Sequence, residues 1–185
     1  MRIIDISHEM FSSPVYPGDI KPEYKRDMLI SEGSEFNLTR IKMCVHNSTH
    51  MDAPFHYIDD GYTAESIPLD YCVGYCSVAE LSGIIELKDI QRLIKTCEKR
   101  LLIKGEAKFS DASAAAASEY FDLIGVESIT VGNTFVHRTL LRCNTAVLEG
   151  IDLSQVKAGR YWLSAAPLKL GGCDGAPVRA YLIDK

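Results

Sequence analysis

LKDIQRLIKTCEKRLLIK, residues 87–104, carries two hydrophobic patterns in succession, and it decides the fold class. The apolar residues of its first part recur on one face at helical spacing, at Leu87, Ile90, Ile94 and Cys97. Leu101–Lys104 then follows as a short apolar run, which is typical of a strand. A helix that leads directly into a strand is characteristic of α/β domains, so this stretch predicts that class.

A second unit of the same kind follows. Asp111 is placed to cap a helix over Ala112–Ile124, Gly125 is placed to end it, and Ser128–Val131 is predicted as the next strand. Further strands are predicted at Arg2–Ser7, Phe36–Val45, Ala146–Glu149, Tyr161–Ser164 and Ala176–Ile183. Phe36–Val45 alternates apolar and polar residues, which predicts a half-buried strand.

Loops and turns separate these elements. Ser13–Asp19 contains two prolines and a glycine and is predicted as a loop, and Gly171–Gly175 is predicted as a turn. The chain of 185 residues shows no internal repeat and no linker. Residues 1–185 are therefore predicted to form a single α/β domain with more strand than helix and a mixed sheet flanked by helices.

The composition argues against several classes of function. The net charge of −5 is spread along the chain, and no lysine and arginine cluster forms a stripe for phosphate backbones, so no nucleic acid partner is expected. The start of the chain lacks the apolar run of a signal peptide, and no segment approaches about 18 uninterrupted apolar residues. We expect a soluble, cytoplasmic protein with no membrane partner. The six cysteines form no CxxC pair, which excludes zinc-ribbon and thioredoxin motifs and predicts reduced, mostly buried thiols.

The segment VHNSTHMDAPFH, residues 45–56, contains three of the five histidines and an aspartate. In a helix, Asp52 would be rotated by about 200° from His50 and would point away from it. In an extended strand, His46 and Asp52 would lie about 20 Å apart, too far for one ion with bonds of about 2.0–2.2 Å. The three side chains can converge only if the chain bends, and Asn47 and Ser48 are small residues that tolerate a turn.

Imidazole nitrogens and a carboxylate oxygen suit zinc or manganese, whereas a calcium site would require oxygen ligands throughout. The residue types and spacing therefore favour a transition-metal site. A polar, hydrogen-bonded turn without a metal is the alternative.

The segment resembles the signature H-x-G-T-H-x-D-x-P-x-H of the metal-dependent cyclase family, which includes bacterial kynurenine formamidases and isatin hydrolases. His46–His56 matches it with one departure, Ser48 for glycine. Five other segments resemble the opening and closing parts of the family: Asp5–His8, Pro14–Asp19, Leu148–Leu153, Ala166–Lys169 and Gly172–Arg179. The resemblance implies the swivelling β/β/α fold of that family.

The resemblance also implies the roles of individual residues. His46, His50 and Asp52 would be ligands of a first metal ion, and His56 would be a catalytic acid/base. The family's second ligand pair is a histidine and a glutamate twelve residues apart, a spacing that His137 and Glu149 share. Asp52 would then bridge two ions. The expected cofactor is one or two zinc ions, with manganese as the alternative, and the expected assembly is a homodimer or a higher homo-oligomer.

The function implied by this family is metal-dependent hydrolysis of an amide, with N-formyl-L-kynurenine as the small-molecule substrate and metal-activated hydroxide as the nucleophile. Two alternatives stay open: hydrolysis of another cyclic or acyclic amide or lactone, and a non-catalytic protein that senses or stores metal. The Ile129–Phe135 segment differs from the family and leaves the substrate open.

Three further polar residues have a less specific context. Tyr16 and Asp19, in the proline-bounded loop, are candidates for the substrate pocket, with a plain surface turn as the alternative. Asp174, between glycine-rich neighbours, is predicted to be a turn former.

Overall fold

The computed structural model describes residues 1–184, in which thirteen strands and four α-helices are found. The strands are β1 (Arg2–Asp5), β2 (Glu23–Met28), β3 (Leu38–Lys42), β4 (His50–Asp52), β5 (Val73–Glu80), β6 (Gly83–Ile85), β7 (Arg100–Lys104), β8 (Ala107–Phe109), β9 (Leu123–Val126), β10 (Ala146–Glu149), β11 (Gly159–Ser164), β12 (Gly175–Pro177) and β13 (Tyr181–Asp184). The helices are α1 (Leu69–Cys72), α2 (Leu87–Leu93), α3 (Asp111–Ser118) and α4 (Thr134–Arg142). None of the helices within residues 1–184 has the length and apolar character needed to cross a membrane.

One mixed sheet organises the described part of the chain. Nine strands form it in the order β1-β13-β11-β5-β7-β9-β10-β4-β12. Its central strands β5, β7, β9 and β10 run parallel, and the strands on both sides pair antiparallel. The pairs β2–β3 and β6–β8 form two separate small sheets. The predicted α/β class with a mixed sheet is confirmed.

Alternate residues of the central strands enter two different cores. Leu101 and Ile103 of β7 pack with the apolar residues of α2, α3 and α4, whereas Leu102 between them packs in a second core on the other face. In β10, Val147 and Leu148 divide in the same way. Burial on both faces is typical of parallel strands and explains their continuous apolar runs.

The predicted helix over Ala112–Ile124 is wrong at its end. The helix stops at Ser118, and Leu123–Val126 is a strand whose four residues are all buried. Gly125 therefore lies inside a strand, where an added Cβ would come 2.4 Å from the Leu102 side chain. Ser110, whose side chain accepts the Ser113 N–H, is the N-cap instead of Asp111.

Three predicted strands also need correction. Ser128–Val131 contains no strand, because the chain has already left the sheet after β9. Phe36–Val45 contains β3, but every residue of β3 is exposed, because it pairs only with β2 and not with the main sheet. Ala176–Ile183 is divided into β12 and β13, which pair with different strands; Pro177 ends β12 and has no N–H for further pairing.

Candidate functional site

The bend predicted within the histidine segment is present. Ser48 has a φ of 60°, and the Asn47 side chain accepts the backbone N–H of Cys44. Beyond the bend, β4 lies between β10 and β12 in the sheet. His50 is the cross-strand partner of Glu149, and Asp52 lies two residues further along β4, on the same face. The bend thus brings His46 back to His50 and Asp52, the two side chains that β4 directs to this face.

The carboxylate of Asp52 lies at the centre of the cluster. Its Oδ1 lies 2.9 Å from His46 Nδ1 and 3.3 Å from His50 Nε2. Its Oδ2 lies 3.8 Å from His137 Nε2 and is a buried oxygen without a hydrogen-bond partner among the described residues. Asp52 therefore lies between His46 and His50 on one side and His137 on the other, which is the position that a carboxylate bridging two metal ions requires.

His137 and Glu149 reach the cluster from α4 and β10. Asn133 caps α4 by accepting the Val136 N–H, and one turn later His137 points its Nε2 to within 3.1 Å of Glu149 Oε1. Glu149 Oε2 lies 3.6 Å from His50 Nε2. Glu149 is 4% exposed, so its carboxylate is buried in the cluster and does not face solvent.

Each of three imidazoles has one nitrogen held from outside and the other directed into the cluster. His50 Nδ1 donates to the Ser48 carbonyl and His137 Nδ1 donates to the Asn133 carbonyl, which leaves both Nε2 atoms facing the carboxylates. His46 is reversed, with Nε2 bonded to Asp174 and Nδ1 facing Asp52. Histidine ligands of metal ions are normally held in this way by an outer partner.

The arrangement fits a metal centre. Two groups of three side chains have ligand atoms within 4.8 Å of one another: His46, Asp52 and His56, and His50, Asp52 and Glu149. Burying a carboxylate costs free energy unless it is paired or binds a cation. Asp52 Oδ2 is buried without a hydrogen-bond partner anywhere in residues 1–184, so it is the atom that a bound cation would stabilise. Nitrogen and oxygen ligands in this mixture suit zinc or manganese.

His56 lies at the edge of the cluster on the 3-10 turn Pro54–His56. Its Nδ1 lies 3.2 Å from Asp174 Oδ2, and its ring centroid lies 4.0 Å from that of His46. The side chain is 27% exposed, whereas that of His50 is buried. His56 is therefore the histidine of its segment that is best placed to exchange protons with a bound molecule.

A cavity of about 360 Å³ opens over the cluster. Tyr16 and Asp19, the predicted pocket residues, line it together with His46, His50, His56, His137 and Glu149. Five further lining residues, Ile129, Thr130, Gly132, Asn133 and Thr134, belong to the Ile129–Phe135 segment that left the substrate open, and Tyr57, which the sequence did not suggest, completes the lining. The structure therefore brings all of the predicted site residues except the buried Asp52 to one cavity wall, and Asp52 lies behind them.

Asp174 is a functional candidate that the prediction of a turn former missed. Its Oδ2 lies 2.9 Å from His46 Nε2. The neighbouring Gly175 is opposite Asp52 in the sheet, and an added Cβ there would come 2.7 Å from His46 Cε1. The run of glycines around Asp174 was the available signal, since glycine often marks a close approach of the backbone to a site.

The charges of the cluster shift the pKa of its members. Burial alone would lower the pKa of His46, but hydrogen bonds and charges from Asp52 and Asp174 outweigh it and raise that pKa to about 9. Burial alone would raise the pKa of Asp52, but hydrogen bonds from His46 and His50 hold it well below its usual range. Burial lowers the pKa of His56 and is not outweighed by its carboxylate neighbours.

These shifts predict that the chelated protein loses stability as the pH rises from 6.5 to about 9. Because the pKa of His46 is raised from 6.5 to about 9 on folding, its contribution is fully present below the unfolded value and is lost as the pH rises through the folded value. The measurement is Tm across this window. Protein loaded with metal should decline less, since metal replaces the proton; a Tm of the chelated protein that rises throughout the window would contradict the prediction.

Comparison with known proteins gives consistent results. Residues 4–108 match the family model Cyclase, described as "Putative cyclase". A kynurenine formamidase from Erythrobacter litoralis (strain HTCC2594) is 33% identical over 202 residues, which cover 98% of this chain and 93% of that protein.

Solved structures share the whole architecture. A potential metal-dependent hydrolase with cyclase activity matches with a TM-score of 0.85 and 29% identity, over 100% of this chain and 98% of that chain. Isatin hydrolase A from Labrenzia aggregata, bound to benzyl benzoate, matches with a TM-score of 0.85 and 18% identity, over 98% of this chain and 93% of its own. The predicted fold type is confirmed.

Proposed function

Because this chain belongs to the cyclase family, we propose that it is a metal-dependent amide hydrolase that converts N-formyl-L-kynurenine to formate and kynurenine. The observation that carries the proposal is a pair of candidate ligand groups that share Asp52, one of which includes His56, and whose other members line one cavity. The 33% identity to a kynurenine formamidase, over 98% of this chain, supports the choice of substrate.

Following the family resemblance, the ligands that we propose for a first ion are His46, His50 and Asp52, and those for a second are His137 and Glu149 together with Asp52. This assignment divides the two candidate groups differently: His50 joins His46, His137 joins Glu149, and His56 is left as the proton carrier. Zinc is the proposed metal and manganese the alternative, because this mixture of imidazole and carboxylate accepts both. When bound, such an ion lowers the pKa of a water molecule to about 7 and polarises a substrate carbonyl.

His56 is the proposed proton carrier. Amide hydrolysis needs a group that accepts a proton as water adds to the carbonyl and returns a proton to the departing nitrogen. The lowered pKa of His56, due mainly to burial, keeps its imidazole neutral near pH 7 and thus able to accept that proton. Because His56 is partly exposed to the cavity, it has access both to the attacking water and to the departing nitrogen of a bound substrate.

Tyr16 and Asp19 are the proposed contacts to the rest of the substrate. Both line the cavity, whose volume of about 360 Å³ lies in the usual range for small-molecule sites. The Tyr16 ring can stack on the aromatic ring of the substrate. The Asp19 carboxylate can pair with the α-ammonium group of an amino-acid substrate.

Assembly and location complete the proposal. We propose a homodimer or higher homo-oligomer, since the β2–β3 pair exposes the cross-strand neighbours Tyr24 and Ile41, and an isolated two-stranded sheet is only marginally stable. We propose the cytoplasm as its compartment because all six cysteines are free thiols.

The test is release of formate from N-formyl-L-kynurenine by protein loaded with zinc or manganese, beside a chelated sample. We expect turnover that requires metal and yields equal amounts of formate and kynurenine. Metal-loaded protein that releases no formate would refute this substrate and lead to other amides and lactones. If those are also inert, the non-catalytic metal-binding protein becomes the better description.

A further inference from the structure

We infer that Asp174 is a positioning residue that orients both His46 and His56 through a single carboxylate oxygen. Asp174 Oδ2 lies 2.9 Å from His46 Nε2 and 3.2 Å from His56 Nδ1. The two rings lie 4.0 Å apart, with 30° between their planes. One oxygen therefore receives hydrogen bonds from a proposed metal ligand and from the proposed proton carrier.

These two hydrogen bonds determine the tautomer of each ring. A carboxylate accepts hydrogen bonds, so His46 must carry a proton on Nε2 and His56 must carry one on Nδ1. In the metal-loaded protein His46 would then offer Nδ1 as its ligand atom, whereas without metal this nitrogen is hydrogen-bonded to Asp52 Oδ1 at 2.9 Å. His56 has Nε2 free to exchange a proton with a bound molecule. A neutral amide in place of the carboxylate would favour neither tautomer as strongly.

The backbone around Asp174 holds the carboxylate in position. The Asp174 carbonyl accepts the Ala53 N–H at 2.9 Å, and the preceding Cys173 carbonyl accepts the Ala64 N–H at 2.9 Å. Gly175 pairs with Asp52, and its lack of a Cβ leaves room for the His46 ring. The carboxylate is thus connected by the sheet to the strand that carries the ligands.

Asp174→Asn tests the inference, and His56→Ala in the same background separates its two roles. For Asp174→Asn we expect metal affinity to fall by about 10- to 100-fold, the usual cost of losing an outer partner of a ligand. Turnover of the metal-saturated variant should also fall. The loss should vanish in the double variant, because the proton carrier that Asp174 orients is already absent. An equal loss of turnover in both backgrounds would overturn the positioning of His56.

Nitrogen-15 NMR of the zinc-loaded protein gives a readout that does not depend on turnover. We expect the His46 proton on Nε2 and the His56 proton on Nδ1, with mixed tautomers in Asp174→Asn and restored ones in Asp174→Glu. The opposite tautomers in the unaltered protein would overturn the inference. The inference rests on the proposed hydrolase function, but the NMR and affinity measurements separate the two: correct tautomers without formate release would refute only the substrate.

Glu65→Gln provides the matched control. Glu65 accepts the Gly172 N–H at 3.2 Å and so contacts the same turn as Asp174 without touching either histidine. We expect unchanged tautomers and metal affinity in this variant. If Glu65→Gln reproduces the effects of Asp174→Asn, the role of Asp174 is to shape the loop, and the inference is wrong.

Discussion

His56→Ala should lose about 10²- to 10⁴-fold in turnover, the usual contribution of a positioned acid/base, while still binding metal. The structure supports this because the His56 Nδ1 is engaged by Asp174 and its ring borders the cavity. The measurements are kcat for formate release and the metal content of purified protein. Metal content matters here because His56 also belongs to one of the two candidate ligand groups.

His8→Ala is the control for that prediction. The backbone of His8 makes hydrogen bonds with Thr49 and Ser48, and these survive the loss of the ring. Turnover in this variant should remain close to that of the unaltered protein. If His56→Ala keeps normal turnover, the role of proton carrier is refuted; if it loses metal, His56 is a ligand instead.

Asp52→Asn should abolish metal binding and with it turnover. Asp52 is the member shared by both candidate ligand groups. It is 1% exposed, so solvent does not reach this position to compensate for the lost carboxylate charge. Loss of an outer partner typically lowers metal affinity by about 10- to 100-fold. Because Asp52 is a proposed ligand itself, we expect its loss to lower the affinity by about 100-fold at the least. Isothermal titration with zinc measures the affinity, and circular dichroism verifies that the variant is folded.

Asp60→Asn, an exposed carboxylate in the loop after the histidine segment, serves as the control for Asp52→Asn. It should bind zinc as the unaltered protein does. A folded Asp52→Asn variant that binds zinc with unchanged stoichiometry would show that the two groups do not share this carboxylate.

The local part of the site could be predicted from the sequence. His46, His50 and Asp52 are close along the chain, so the possible backbone geometries are few, and only a bend brings them together. The bend is found at Ser48. The positions of His137 and Glu149 were obtained only through resemblance, because their meeting depends on the packing of α4 against the sheet.

Contacts between distant segments were not predictable. Asp174 reaches His46 only because β12 pairs with β4, and nothing in the spacing of residues 171–175 reveals that pairing. The end of α3 was missed for a different reason. Leu123–Val126 is buried on both faces, and a short, continuously apolar run does not distinguish a strand from the continuation of a helix.

The position of β4 between β10 and β12 has a consequence for how the protein folds. His46, His50 and Asp52 belong to one short segment, so they can meet before distant parts of the chain have docked. His50 and Glu149 meet only when β4 pairs with β10, a contact of high sequence separation that forms slowly. An ion captured early by the short segment would reduce the conformational search, and the last coordination bonds to form would report the docking of the two halves of the chain.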